Sequence, residues 1–160
     1  MGLYRFLVYL HILGAIGWVG GILFLGLVAA PAARRLDEEN RARVINELGR
    51  RFRTVGYGLL GLLAVTGVIQ SGYHGATVAG VITGAFFQTD FGRTLAWKLL
   101  FIVLMLGVSV VHDFFVGPAA VQASEAGQDA TRLRRLAGWL ARITALLALI
   151  VVAYASLLVR

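Results

Sequence analysis

The side chains best suited to chemistry in this sequence are a lysine and three histidines set within or beside long apolar stretches. Lys98 is followed, at offsets of 7, 11 and 14 residues, by Met105, Ser109 and His112. At about 100° per residue, these offsets place all four side chains on one narrow stripe of a helix. A lysine at the centre of a membrane helix costs about 2.5–3.5 kcal/mol on insertion scales and usually faces protein or water. The stripe therefore predicts an inward-facing polar seam, while an ammonium that snorkels to the interface is the competing interpretation.

The first apolar stretch holds a second group of candidate ligands in the segment HILGAIGWVGG. Its histidine, tryptophan and two of its glycines share a helix face, at His11, Gly14, Trp18 and Gly21. An imidazole flanked by glycines has room for a flat cofactor or a metal ion, and it is a common ligand for both. The same imidazole could instead hydrogen-bond a neighbouring helix, and the sequence leaves both roles open. The candidate cofactor-binding residues are His11, Trp18, Lys98 and Met105.

The candidate metal ligands are the three histidines, His11, His74 and His112. The direction of the helices places His11 and Lys98 at similar depths, so we expect them to share one site. His74, just after the second apolar stretch, is the natural third member, unless it is simply a surface residue. His112 falls toward the opposite side, where it and Asp113 could equally form an interfacial pair. No catalytic residue is assigned.

Membrane helices must position these groups, because 59% of the 160 residues are hydrophobic and only 14% are charged. A bilayer core of about 30 Å requires about 20 apolar residues per helix. We therefore predict an all-α integral membrane protein, a single domain over residues 1–160 that forms a four-transmembrane-helix bundle. The predicted spans are residues 3–30, 55–73, 94–116 and 136–159. The first apolar run is too long for a typical signal peptide, so we expect it to be a mature helix.

The distribution of arginines predicts the orientation in the membrane. Residues 31–53 contain seven arginines and residues 117–135 contain three, whereas residues 75–93 contain one. The positive-inside rule places the two basic links in the cytoplasm and both termini outside. The net charge of +7 is thus explained by topology and does not indicate a nucleic-acid partner. Residues 37–52 have an N-cap candidate in Asp37 and an apolar side, which predicts a short interfacial helix on the headgroups.

Several kinds of chemistry find no support in the sequence. The chain has no cysteine, which excludes disulfides, thiolate metal sites and iron–sulfur clusters within it. It has no phosphate-binding glycine loop and no carboxylate pair within a span, so nucleotide and hydrolytic chemistry are not indicated. The link over residues 75–93 is apolar and glycine-rich, and it could extend the second helix, re-enter the membrane or cover a cavity.

Three segments together resemble the copper resistance protein D (CopD) family: LHILGAIGWVGGILF, RRFRTVGYGLLGLLAVTGV and TDFGRTLAWKLLF. The shared features are a first-helix histidine, a Thr-Gly pair, here Thr66 and Gly67, and a Thr-x-Phe-Gly-Arg segment that leads into Leu-x-x-Lys. The similarity covers roughly residues 6–106 and the rest weakly. It implies copper handling across or at the bacterial inner membrane, with His11 as the best copper contact. Soft ligands for Cu(I) are scarce, because the only methionines are Met1 and Met105.

A second resemblance is to the four-helix, haem-associated (HemJ-type) membrane protoporphyrinogen oxidases, which share the first-helix histidine and a third-helix Trp-Lys pair. It implies haem b, with His11 as an axial ligand and Lys98 beside the porphyrin carboxylates. Three histidines suffice for one haem but not for two bis-histidine haems. The function predicted first is copper transport or binding without enzyme activity, and the alternative is a haem-dependent membrane oxidoreductase. The expected partners are membrane lipid, copper ion or porphyrin, and either a second copy or the other subunits of a larger membrane complex.

Overall fold

The computed structural model describes residues 2–158, apart from the side chain of Glu125, and within that range it contains helices and turns but no strand. Four helices are long and apolar enough to cross a membrane, which confirms the predicted all-α fold. The helices are α1 (Gly2–Ala33), α2 (Glu38–Tyr73), the short α3 (Val78–Ile82), α4 (Asp90–Ser124) and α5 (Thr131–Leu157). The four long helices alternate in direction. Residues 2 and 158 therefore lie at one end, here called the terminal end, and the arginine-rich links lie at the other, the basic end.

All four long helices begin or end beyond the predicted spans, mainly at the basic end. The 36 residues of α2 extend over about 54 Å, well beyond a hydrocarbon core of about 30 Å. The predicted short helix over residues 37–52 is helical, but it is continuous with the second span, because no proline interrupts the chain between them. It therefore prolongs the axis of α2 out of the membrane. The predicted last residue of the fourth span, 159, lies outside the described residues.

Asp37 caps α2 as the sequence predicts. Its carboxylate accepts hydrogen bonds from the backbone N–H of Asn40 at 3.1 Å and from its side-chain amide at 2.7 Å. Both bonds stabilise the ionised carboxylate and hold the pKa of Asp37 below its usual value. The cap fixes where the helix begins after the tight turn that follows Ala33.

Two π-helical turns allow α1 and α4 to continue beyond the two prolines of the chain. The turn Leu25–Ala29 precedes Pro31, and the turn Val111–Val116 precedes Pro118. A proline in a helix donates no backbone hydrogen bond, and its ring clashes with the carbonyl four residues earlier. The wider π turn gives that carbonyl room, so α1 and α4 continue to Ala33 and Ser124 instead of ending near residues 30 and 116.

The face that α1 turns toward α2 is built on glycine. A Cβ atom on Gly14 would lie 3.3 Å from Leu63, one on Gly17 would lie 3.1 Å from Leu59, and one on Gly21 would lie 2.2 Å from the ring of Phe52. Small residues allow such close approach, and in lipid close packing supplies much of the energy of helix association. The absence of side chains at these positions thus sets the distance between α1 and α2.

Gly21→Ala is expected to destabilise the protein by about 1–3 kcal/mol, because the new methyl would overlap the Phe52 ring and force the helices apart or the ring aside. The matched control is Gly20→Ala on the same helix, where the new Cβ meets no atom within 4 Å. Thermal unfolding in detergent measures both variants. Equal unfolding temperatures for the two variants would contradict the packing described here.

The bundle has one loosely closed side. The backbones of α1 and α2 pack closely, as do those of α4 and α5, and α1 also meets α5. The backbones of α2 and α4 make few close approaches in the described part of the chain. Trp18, Met105 and Ala148 form a buried central layer in the middle of the bundle.

Candidate functional site

His11 is held inside the bundle by a hydrogen bond to a buried threonine. Its Nδ1 lies 2.7 Å from Oγ1 of Thr66, which is only 2% exposed. The threonine hydroxyl has one proton, and it donates that proton to the carbonyl of Leu62 at 2.7 Å. With that donation the hydroxyl accepts from His11, and the imidazole tautomer that fits this arrangement has its proton on Nδ1. The lone pair of Nε2 is left available to a ligand.

Gly67 provides the space that this histidine needs. A Cβ atom at that position would lie 3.4 Å from Cε1 of His11 and 3.9 Å from its Nδ1. The two residues of the Thr-Gly pair thus act differently on His11. Thr66 hydrogen-bonds the imidazole, and Gly67 leaves space for it. A further contact between α1 and α2 lies one turn away, where the Gln70 amide donates to the carbonyl of Leu7 at 3.3 Å.

Lys98 contributes a positive charge to the same region from α4. Its side chain is half-buried, and its charge lies close enough to act on the imidazole of His11. No acidic side chain in the described part of the chain pairs with Lys98. We call His11, Thr66, Gly67 and Lys98 the His11 layer. A donor nitrogen and an uncompensated cation thus lie near each other within the bundle.

Trp18 and Met105, the other two candidate cofactor contacts, belong to the central layer. Each lies seven residues, or about 10 Å along its helix, from its partner in the His11 layer. Both side chains are almost fully buried, at 5% and 3% exposed, and they belong to one core cluster with Ala148. The four predicted cofactor contacts therefore divide into two layers at different depths.

His74 lies apart from the His11 layer, at the terminal end. Its Nε2 is 3.1 Å from the hydroxyl of Tyr4, and its ring stacks on Phe91 with 4.2 Å between the ring centres. Tyr4 also packs against Tyr73. These four aromatic residues, here called the aromatic clasp, join the ends of α1, α2 and α4. The structure thus holds His74 in a surface cluster with its own partners.

The link before α4 is compact and partly helical, and it does not extend the second helix, because α2 ends at Tyr73. It contains α3, capped by Thr77, and a 3₁₀ turn over Ala85–Gln88 that buries Phe86. Thr89 then caps α4 by accepting from the N–H of Gly92 at 2.9 Å. Gly92 leaves no space for a side chain, since a Cβ there would lie 2.0 Å from the carbonyl oxygen of Phe86.

His112 lies in the π turn of α4, toward the basic end. Its Nδ1 is 2.8 Å from Oδ1 of Asp113, whose Oδ2 accepts a hydrogen bond from the Tyr57 hydroxyl at 3.2 Å. Sequence reasoning missed Tyr57, whose only signal was an aromatic residue near the basic end of the second span. Among the described residues, no three His, Asp or Glu side chains come together as a metal site. By their positions along the helices and their different partners, the three histidines lie at three separate depths.

Comparison with known protein families identifies the family of the chain. The family model described as copper resistance protein D matches residues 46–158, more than half of the sequence. The chain belongs to the copper resistance protein D family. The matched segment includes Thr66, Lys98, Met105 and His112 but not α1, whereas the motif similarity had been placed mainly over residues 6–106. The assignment of His11 as a candidate ligand is therefore based on its hydrogen bond to Thr66 and not on the family match.

A second comparison found a relative that matches this chain over most of its length. An uncharacterised protein of Aquifex aeolicus (strain VF5) is 30% identical over 145 residues, which cover 90% of this chain and 87% of the relative. Comparison with solved structures gave no match. Family membership and the four spans together make this a multi-pass membrane protein related to copper resistance.

Proposed function

We propose that this member of the copper resistance protein D family passes copper ions across or along the membrane through the His11 layer. The observation that carries the proposal is the orientation of His11. Its Nδ1 is bound to Thr66, so its Nε2 is available inside the bundle. A fixed imidazole with a free Nε2 is a common copper ligand, and its hydrogen-bonded partner holds the ring ready for the metal.

The composition of the His11 layer favours brief binding over storage. It offers one imidazole and no cysteine or carboxylate, and the Lys98 ammonium repels a cation bound to that imidazole. Like charges repel more strongly where the effective dielectric constant is lower than that of water. A site on a conduction path must bind strongly enough to admit an ion and weakly enough to release it. A single imidazole opposed by a neighbouring charge meets both requirements.

Further ligands follow at two greater depths. The Met105 thioether lies about 10 Å beyond the level of Lys98, and His112 lies about 10 Å beyond Met105 along α4. Thioether and imidazole ligands both suit copper, the former especially Cu(I). Trp18, Met105 and Ala148 fill the middle of the bundle, so an ion can pass only when this layer opens. We place the basic end in the cytoplasm of a bacterial cell, because the positive-inside rule favours that side for arginine-rich links.

Liposome flux tests the proposal directly. The purified protein is reconstituted into liposomes that contain a copper-sensitive fluorophore, and copper entry is compared with entry into protein-free liposomes. We expect copper entry above that background and no Soret band in the absorption spectrum of the purified protein. A Soret band with one porphyrin per chain, together with background copper flux, would replace copper with haem as the ligand.

Lys98→Gln is expected to raise the affinity of the protein for copper by about tenfold or more and to slow its release. The physical reason is the loss of the like charge that opposes a cation bound to His11. Equilibrium competition with a copper chelator measures the affinity, and efflux from preloaded liposomes measures release. Unchanged affinity in this variant would show that the ammonium does not face the bound ion.

A further inference from the structure

Three arginines lie close together near the basic end of α2, and two of them have acidic partners. Arg50 and Arg51 both pair with the carboxylate of Glu47, at 2.8 and 2.6 Å. Arg53 forms no ion pair with any described residue. The difference follows from the helix, because Glu47 is three and four residues from its partners and Arg53 points elsewhere.

Arg53 instead faces α4 across the loosely closed side of the bundle. Its guanidinium carbon lies 5.7 Å from the ring centre of Phe114, and its Nε is buried without a hydrogen-bond partner among the described residues. Asp113, the residue before Phe114, already accepts from Tyr57 and contacts His112. A half-buried cation is therefore held against an aromatic face without a direct counter-ion. Such a charge is costly unless an anion reaches the free end of the guanidinium.

Arg53 lies at the boundary between the basic and the apolar parts of α2, where lipid headgroups are expected. The residue lies two positions before Val55, where the apolar part of α2 begins, and it faces the π turn at the end of the apolar part of α4. The large exposed side chains here are Phe114, its chain neighbour Phe115 and, one turn further along α2, Tyr57, whose ring centre is 6.1 Å from that of Phe114. A ligand here meets a cation at headgroup level and an apolar wall directly toward the membrane interior.

We propose that Arg53 and Phe114 form a binding site for the phosphate of an anionic phospholipid, with its acyl chain against the exposed apolar side chains beside them. The outer edge of a guanidinium donates two parallel hydrogen bonds that match two phosphate oxygens. Bound between α2 and α4, the lipid closes the side of the bundle where those helices make few close approaches. The site does not depend on copper, so it stands or falls separately from the function proposed above.

Native mass spectrometry of the whole protein tests this site. The protein is released from nanodiscs that contain phosphatidylglycerol and phosphatidylcholine, and retained lipid is counted per chain. We expect one retained phosphatidylglycerol in the wild type and in Arg51→Gln. Arg53→Gln should weaken retention by about tenfold or more, which corresponds to about 1.4 kcal/mol per factor of ten. Arg53→Lys keeps the charge but loses the paired donors, so its retention should fall between the two.

Three results would overturn the site. Equal losses in Arg53→Gln and Arg51→Gln would indicate general attraction to a basic surface. Equal retention of phosphatidylcholine would remove the requirement for an anionic lipid. Displacement of the lipid by millimolar inorganic phosphate would show that the acyl chain contributes nothing. If Arg53→Gln fails to fold by circular dichroism, the comparison of Arg53→Lys with Arg51→Lys decides the question.

Discussion

His11→Ala is expected to reduce copper flux into liposomes to the level of protein-free vesicles. His11 is the one good copper ligand in its layer, and no other described histidine is near enough to replace it. Initial rates of fluorophore quenching measure the flux. The matched histidine control is His74→Ala, because Tyr4 and Phe91 hold that ring in the aromatic clasp. We expect the control to keep most of the flux, and the reverse result would move the site to the terminal end.

The hydrogen bond from His11 to Thr66 allows a finer form of the same experiment. Thr66→Val keeps the shape of the side chain but removes the hydroxyl that is hydrogen-bonded to Nδ1 of the imidazole. Loss of such a supporting hydrogen bond typically lowers metal affinity by about 10–100-fold. The variant should therefore bind copper, but less tightly than the wild type. Wild-type affinity in Thr66→Val would mean that the ring is oriented by something other than this threonine.

Gly92→Ala is expected to produce the largest loss of stability of any single methyl addition in the described chain. The new Cβ would lie 2.0 Å from the carbonyl oxygen of Phe86, 2.8 Å from its carbonyl carbon and 2.9 Å from Oγ1 of Thr89. Two of these atoms are backbone and cannot rotate away, so the link and the start of α4 must separate. The cost should reach or exceed the upper end of the usual 1–3 kcal/mol for overpacking.

Gly107→Ala is the matched control for Gly92→Ala. It lies on the same helix, its new Cβ meets no atom within 4 Å, and alanine favours a helix over glycine by about 1 kcal/mol. Unfolding temperature and the yield of folded protein in detergent measure both variants. We expect Gly92→Ala to lose the cap from Thr89 and the stacking of Phe91 on His74. Equal stability of the two variants would show that the link can move away without cost.

The sequence predicted the four spans, and it did so for a simple physical reason. A bilayer imposes a minimum length and an apolar composition on every helix that crosses it, and both properties are local. The cap at Asp37 was likewise predictable, because it depends on residues three positions apart. Hydrophobic length does not reveal where a helix ends beyond the membrane. The joining of residues 37–52 to α2, and the passage of α1 and α4 beyond their prolines, were therefore visible only in the structure.

The site depended on tertiary structure to a greater degree. Helical spacing placed His11 and Lys98 on their respective helices, and placed Met105 on the same stripe as Lys98. It contained no information on which residues of another helix face them. Only the packing of α1 against α2 pairs His11 with Thr66, 55 residues away, and only the bundle separates His74 from the His11 layer. Side-chain spacing along one helix is fixed by the sequence, whereas the partners across helices are fixed by the distances at which glycine and proline let the helices meet.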